Sequence, residues 1–122
     1  MKKTILFLLL LIACGASIHA QDEYYMRQAE SYMRDAEYYT KKAESYDREA
    51  EYYNKKAEGY MREADYYTRK NDFDRAKTYS RYAAEATDKA RTQMRYAAEA
   101  RDKAAMRMRW AREAMERAKS RK

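Results

Sequence analysis

Past residue 20 the side chains that most enzymes depend on are missing. The single Cys, Cys14, and the single His, His19, lie within the first 20 of 122 residues, and the chain has no Pro. Neutral-pH acid–base work usually falls to His, and nucleophilic work to Cys or to Ser beside His, so residues 21–122 are not expected to be catalytic. Carboxylates abound, yet Glu30, Glu44 and Glu58 recur among Lys and Arg as solvated helix faces do. No Gly-rich loop is there to cradle a phosphate, and the Glu-x-x-His pattern of helical-bundle metal sites cannot be built, so no cofactor or metal is expected. The remaining chemistry belongs to rings, thioethers and cations, in 14 Tyr, 8 Met and 27 Lys and Arg. Such side chains make contacts more readily than they make or break bonds.

Those residues fall on a repeat. From Glu23 the unit is 14 residues long, two heptads, read three times as 23–36, 37–50 and 51–64 in a form close to E-Y-Y-x-K-K-A-E-S-Y-x-R-E-A. Ala29, Ala36, Ala43, Ala50, Ala57 and Ala64 mark heptad position a, and Tyr32, Tyr39, Tyr46, Tyr53, Tyr60 and Tyr67 mark d, so that the seam recurs at spacings of three and four. The residues between are good helix formers, and Gly59 is the one weak point, at about 1 kcal/mol. A second stripe begins at Ala76 and runs through Ala83, Ala90, Ala97, Ala104 and Ala111 to Ala118, with Tyr82, Tyr96 and Trp110 as aromatic markers 14 residues apart.

The two stripes are out of phase. From Ala64 to Ala83 is two heptads plus five residues, which a coiled coil does not absorb as one unbroken helix. An antiparallel hairpin resolves the mismatch. If residue i faces residue 143 − i, Tyr32 meets Ala111, Tyr46 meets Ala97 and Tyr60 meets Ala83, every layer joining an a to a d. Asn71 tolerates the left-handed conformation that ends helices, Asp72 suits an N-cap, and Phe73 is expected to fold over the tip. The sequence therefore predicts an all-α, antiparallel two-helix coiled-coil hairpin with a Tyr/Ala seam, able to dimerise to a four-helix bundle. Its parts are an export segment over 1–20, a first long helix over 21–70, a turn over 71–74 and a second, basic helix over 75–122. Arms of about 48 residues would make a long rod, on the order of 70 Å.

Two surfaces fall outside the seam. Tyr38, Tyr52 and Tyr66 occupy c of the first helix, and Tyr82, Tyr96 and Trp110 occupy g of the second, which places them along one side as an interaction face. The opposite side carries Met26, Met33, Met61, Met94, Met108 and Met115 at e, and a lone hairpin is not expected to cover both. Charge is uneven as well: residues 22–70 hold 12 acids and 10 bases, residues 71–122 hold 8 acids and 15 bases. Arg107, Arg109, Arg112, Arg117, Lys119, Arg121 and Lys122 crowd the basic end, where they would meet an anionic membrane surface or polysaccharide.

The N-terminus reads as a bacterial export signal, with Lys2-Lys3 ahead of an apolar run from Thr4 to Ala13 and a short region ending Ser17-Ile18-His19-Ala20. Two processing routes fit. Cleavage after Ala20 would free a periplasmic or secreted protein starting at Gln21. Alternatively, Leu11-Ile12-Ala13-Cys14 resembles the lipobox of bacterial lipoproteins, which implies acylation of Cys14 and a chain tethered in the cell envelope. The architecture then looks like the small helical envelope lipoproteins. Either route leaves residues 21–122 without a disulfide. The expected function is that of a non-catalytic structural and interaction protein of the cell envelope, a spacer or self-associating module. The alternative is a binding module that engages anionic lipid or polysaccharide through the basic helix. Self-association or an envelope protein is the expected partner, and intracellular nucleic acid is not.

Overall fold

The computed structural model describes residues 20–120. Helix α1 spans Ala20–Arg69 and helix α2 spans Phe73–Lys119, and the two pack against each other as a hairpin. The expectations for residues 1–19, Cys14 among them, and for Arg121 and Lys122 lie outside the described residues.

The turn is built by its own side chains. Asn71 has φ 61°, the left-handed conformation, and the backbone N–H of Asp72 donates to Tyr67 O at 2.9 Å while that of Asn71 donates to Thr68 O at 3.1 Å. This is a Schellman ending, which satisfies two carbonyls that the helix itself would leave unpaired. Asp72 then caps the next helix, its Oδ1 accepting from the Arg75 N–H at 3.3 Å. Because the cap follows the left-handed residue at once, α2 starts at Phe73, two residues earlier than predicted. Phe73 does not fold over the tip. It is 64% exposed, since the first position of a helix points away from a seam that begins at Ala76.

The seam is made of alanine. Ala29, Ala36, Ala43, Ala50, Ala57 and Ala64 of α1 are buried, as are Ala76, Ala83, Ala90, Ala97, Ala104 and Ala111 of α2. Alanines on both sides leave no room for a ring between the helices. The d tyrosines of α1 are accordingly half-buried, lying across the joint with their outer edges in water. Along α1, Glu23–Arg27, Glu37–Lys41, Glu51–Lys55 and Asp65–Arg69 pair at i, i+4 with the acid on the N-terminal side, the more favourable order.

Among the described residues the hairpin packs as two compact units, 20–41 with 100–120, and 42–99. The first, the terminal unit, has a cluster of Ala29, Met33, Ala111, Ala114 and Met115 with Tyr32 and Met108 against it. The second, the turn unit, has an alanine seam flanked by rings. No helix among the described residues is long and apolar enough to cross a membrane.

Candidate functional site

The heptad that places Tyr82, Tyr96 and Trp110 at g of α2 places Arg75, Lys89 and Lys103 at the same position in alternate turns. Each meets a d tyrosine of α1. In the turn unit the Arg75 guanidinium lies 5.5 Å from the Tyr67 ring centre, Tyr82 contacts Tyr60 at 5.5 Å, Lys89 lies 5.7 Å from Tyr53 and Tyr96 contacts Tyr46 at 5.4 Å. The terminal unit has the same alternation, with Lys103 5.6 Å from Tyr39 and Trp110 5.5 Å from Tyr32. Each cross-helix pair lies within one residue of the predicted register. Ring pairs of this kind contribute about 0.5–1.5 kcal/mol beyond area burial, and exposed cation–ring contacts about 0.5–1 kcal/mol.

The exposed c tyrosines join this flank through their neighbours. Tyr38 meets Tyr39, Tyr52 meets Tyr53 and Tyr66 meets Tyr67, edge to face, with centres 5.1–5.3 Å apart. Tyr52 and Tyr66 each also take a lysine of their own helix, Lys56 at 5.3 Å and Lys70 at 5.5 Å. The Tyr52 hydroxyl hydrogen-bonds the Lys56 ammonium and, aided by its own charge when ionised and by that of Tyr60, holds that lysine above its ordinary pKa. Close to the turn, Tyr79 stacks on Tyr67 at 5.5 Å and touches Tyr82 at 5.8 Å, linking the rings of both helices.

Of the predicted interaction face, Tyr38, Tyr52, Tyr66, Tyr82 and Tyr96 are exposed and Trp110 is half-buried. The predicted anion-contact residues divide. Arg109, Arg112, Arg117 and Lys119 are exposed, whereas the Arg107 side chain is only 25% exposed. It pairs with Asp35 at 3.7 Å and lies 4.6 Å from the Trp110 ring and 5.7 Å from Tyr39. As a d residue facing alanine, its long stem crosses the joint and its charge finds the acid and rings at the edge.

The methionine side also divides. In the terminal unit Met33 and Met115 are buried at 2% and 5% exposure, against the expectation that a lone hairpin leaves this side uncovered, because they close on each other's alanines and on Met108. In the turn unit Met61 and Met94 stay open at 57% and 55%. Met61 stands between two shallow grooves, one of about 550 Å³ lined by Asn54, Ala57, Glu58, Arg62 and Thr87, and one of about 310 Å³ reaching Ser80, Ala84 and Arg91. Thr87 returns its hydroxyl to Ala83 O at 2.9 Å, which satisfies that group within its own helix.

The sequence reading missed the Arg75, Lys89 and Lys103 row. Its signal was available as the seven-residue spacing with Tyr82, Tyr96 and Trp110. Among the described residues no group of three or more His, Cys, Asp or Glu is placed to hold a metal ion. No protein-family model matches this chain, and neither a curated protein nor a solved structure does.

Proposed function

We propose that the protein is a non-catalytic structural and interaction module of the bacterial cell envelope, an exported spacer that associates with itself. The observation that carries the reading is the open methionine flank of the turn unit. Met61 and Met94 are large, exposed apolar side chains, Met61 with only small or polar residues around it in its grooves, and burial against a second copy would remove both from water. The signal-like segment ahead of Gln21 supports export, and the uninterrupted helices suit a spacer. The test is sedimentation equilibrium of the protein purified from cells that express the full sequence. A dimer is expected, and Met61→Glu with Met94→Glu should give a monomer of unchanged helical circular dichroism. A wild-type monomer at all concentrations overturns self-association. Intact mass supplies the second arm: acylation at Cys14 or a start at Gln21 agrees with export, and an unprocessed chain does not.

A second reading is favoured by the exposed row of Arg109, Arg112, Arg117 and Lys119, through which α2 would engage anionic lipid. Salt-sensitive binding to anionic vesicles is its signature, and no binding at low salt removes it.

A further inference from the structure

The g positions of α1 and α2 flank one side of the joint, opposite the methionines. Within the turn unit the α1 row reads Glu49, Lys56, Glu63, Lys70, and the α2 row reads Arg75, Tyr82, Lys89, Tyr96. Folded back on each other, Lys70 comes to the layer of Arg75, Glu63 to that of Tyr82, Lys56 to that of Lys89 and Glu49 to that of Tyr96. Doubled cations and single carboxylates alternate, each layer about 10 Å of helix rise from the next. The hairpin leaves the α1 charges unmatched. On the outer face of α1, Glu51 and Asp65 pair with Lys55 and Arg69, but among the described residues Glu49, Lys56, Glu63 and Lys70 take no ion pair at all. Beside the same row stand the rings of Tyr52 and Tyr66, 53% and 51% exposed.

This row complements its own reverse. When a second copy is laid face to face on the flank, antiparallel, about a two-fold axis that crosses the helices between the Lys56 and Glu63 layers, α1 lies along α1 and α2 along α2. Lys56 then meets Glu63 of the second copy and Lys70 meets its Glu49, and each contact is made twice. On α2, Lys89 comes to Tyr82 of the second copy and Arg75 to its Tyr96. Tyr52 comes level with Tyr66 of the second copy, so the exposed rings cover one another. Glu85 approaches its own equivalent only at the rim, between the two Lys89 side chains. A parallel two-fold instead lays Lys56 on Lys89 and Lys70 on Arg75, cation on cation. Gly59 adds an independent sign. The repeat has serine at this place, Ser31 and Ser45. The backbone of Gly59 has no positive φ, and an added methyl would come no nearer than 3.9 Å to Arg62 Nη2, so nothing inside the chain calls for a residue that weakens the helix. The antiparallel axis passes beside Gly59, where the two copies of α1 come closest, and a missing side chain lets their backbones approach.

We propose that this flank is a self-complementary docking surface on which a second copy of the chain binds antiparallel, about an axis at Gly59. Residues 42–99 carry 13 cations and 12 carboxylates, so two turn units come together without net repulsion. A nucleic acid or an anionic bilayer would meet Glu49 and Glu63 with like charge and would favour an unbroken row of cations. The contact goes beyond the methionine flank, from which it lies across the joint, and it is distinguished by its chemistry: it rests on exposed charge and weakens with salt, whereas burial of Met61 and Met94 does not.

The experiment takes the protein expressed from the full sequence with Met61→Glu and Met94→Glu, which removes the methionine flank, so that each contact holds or fails by its own test. Sedimentation equilibrium is run at about 10 mM and about 0.15 M salt, where the screening lengths are about 30 and 8 Å. A dimer is expected at the lower salt and a monomer at the higher. In this background Lys56→Glu with Lys70→Glu leaves only carboxylates in the α1 row, and Glu49→Lys with Glu63→Lys leaves only lysines. Each should weaken association about tenfold or more at unchanged helical circular dichroism, the scale set by reversing four exposed ion pairs, and an equimolar mixture of the two should restore it. The parallel arrangement demands the opposite of the first variant, whose new carboxylates would meet Lys89 and Arg75 and tighten the dimer. Gly59→Gln, a better helix former, should keep the fold and weaken the dimer. A monomer at low salt overturns the proposal. So does a dimer that survives either charge reversal or Gly59→Gln, and so does a mixture that stays apart.

Discussion

At the scale of single residues the adjacent cations Lys55 and Lys56 have different work. Lys55 answers Glu51 along the outer face of α1, while Lys56, one position on, turns to the Tyr52 ring. A hydroxyl that bonds the ammonium and a phenol whose charge would favour it both act to keep Lys56 protonated. A lysine whose pKa is raised on folding stabilises the fold fully below its unfolded value near 10.5, and that help is lost as the pH climbs through the higher folded value. Tyr52→Phe keeps the ring and deletes the hydroxyl, so the Lys56 pKa, followed by NMR of its side-chain carbons, should fall back toward the ordinary value. An unchanged titration would mean that the hydroxyl does not set it. Seam alanines have the opposite character, with no latitude at all. Ala97 is wholly buried, and Ala97→Leu should cost about 1–3 kcal/mol in urea unfolding because the larger side chain forces the helices apart.

At the scale of elements, helix and turn were legible in the sequence for reasons that are local or periodic. The 3-4 stripe is a property of each helix alone, and the five-residue phase slip between Ala64 and Ala83 is what a reversal leaves behind. Asn71 and Asp72 carry the turn, and Asn71→Ala should cost about 1 kcal/mol through its left-handed backbone, with Asp72→Ala costing a similar amount through the lost cap. Gly59 offers the reverse: it has ordinary helical φ, and an added methyl would come no nearer than 3.9 Å to Arg62 Nη2, so Gly59→Ala should stabilise by about 1 kcal/mol. The flanks were harder to read. Whether Met33 is buried while Met61 is open depends on what the other helix brings to that layer, Met108 and Met115 in one case and Ser80 and Thr87 in the other. The cation row at Arg75, Lys89 and Lys103 lay hidden because lysine and arginine on a basic helix look like solvated charge until the rings beneath them are known.

At the scale of the whole molecule the question is how a repeated seam fixes one pairing. A slip of 14 residues would repeat the alanine–alanine and tyrosine–alanine layers, so the seam by itself is indifferent to it. The turn is not, because the Schellman ending and the Asp72 cap occupy only the three residues between Arg69 and Phe73 and leave no slack to extend either strand of the hairpin. The same shortness raises one competitor, an exchange in which the turn opens and two chains trade their second helices, preserving every layer. Crosslinking separates the cases. Tyr46 and Ala97 face each other in the turn unit, as the Tyr46 contact with Tyr96 requires. With both replaced by Cys and Cys14 changed to Ser, mild oxidation at low concentration should yield a disulfide within one chain, seen as a faster-migrating monomer in non-reducing gels. A pair of cysteines at Tyr46 and Ala83, which only the slipped pairing would bring together, should stay reduced. Exclusive crosslinking between chains at Tyr46 and Ala97 would show instead that the turn opens and that the native pairing is shared by two molecules.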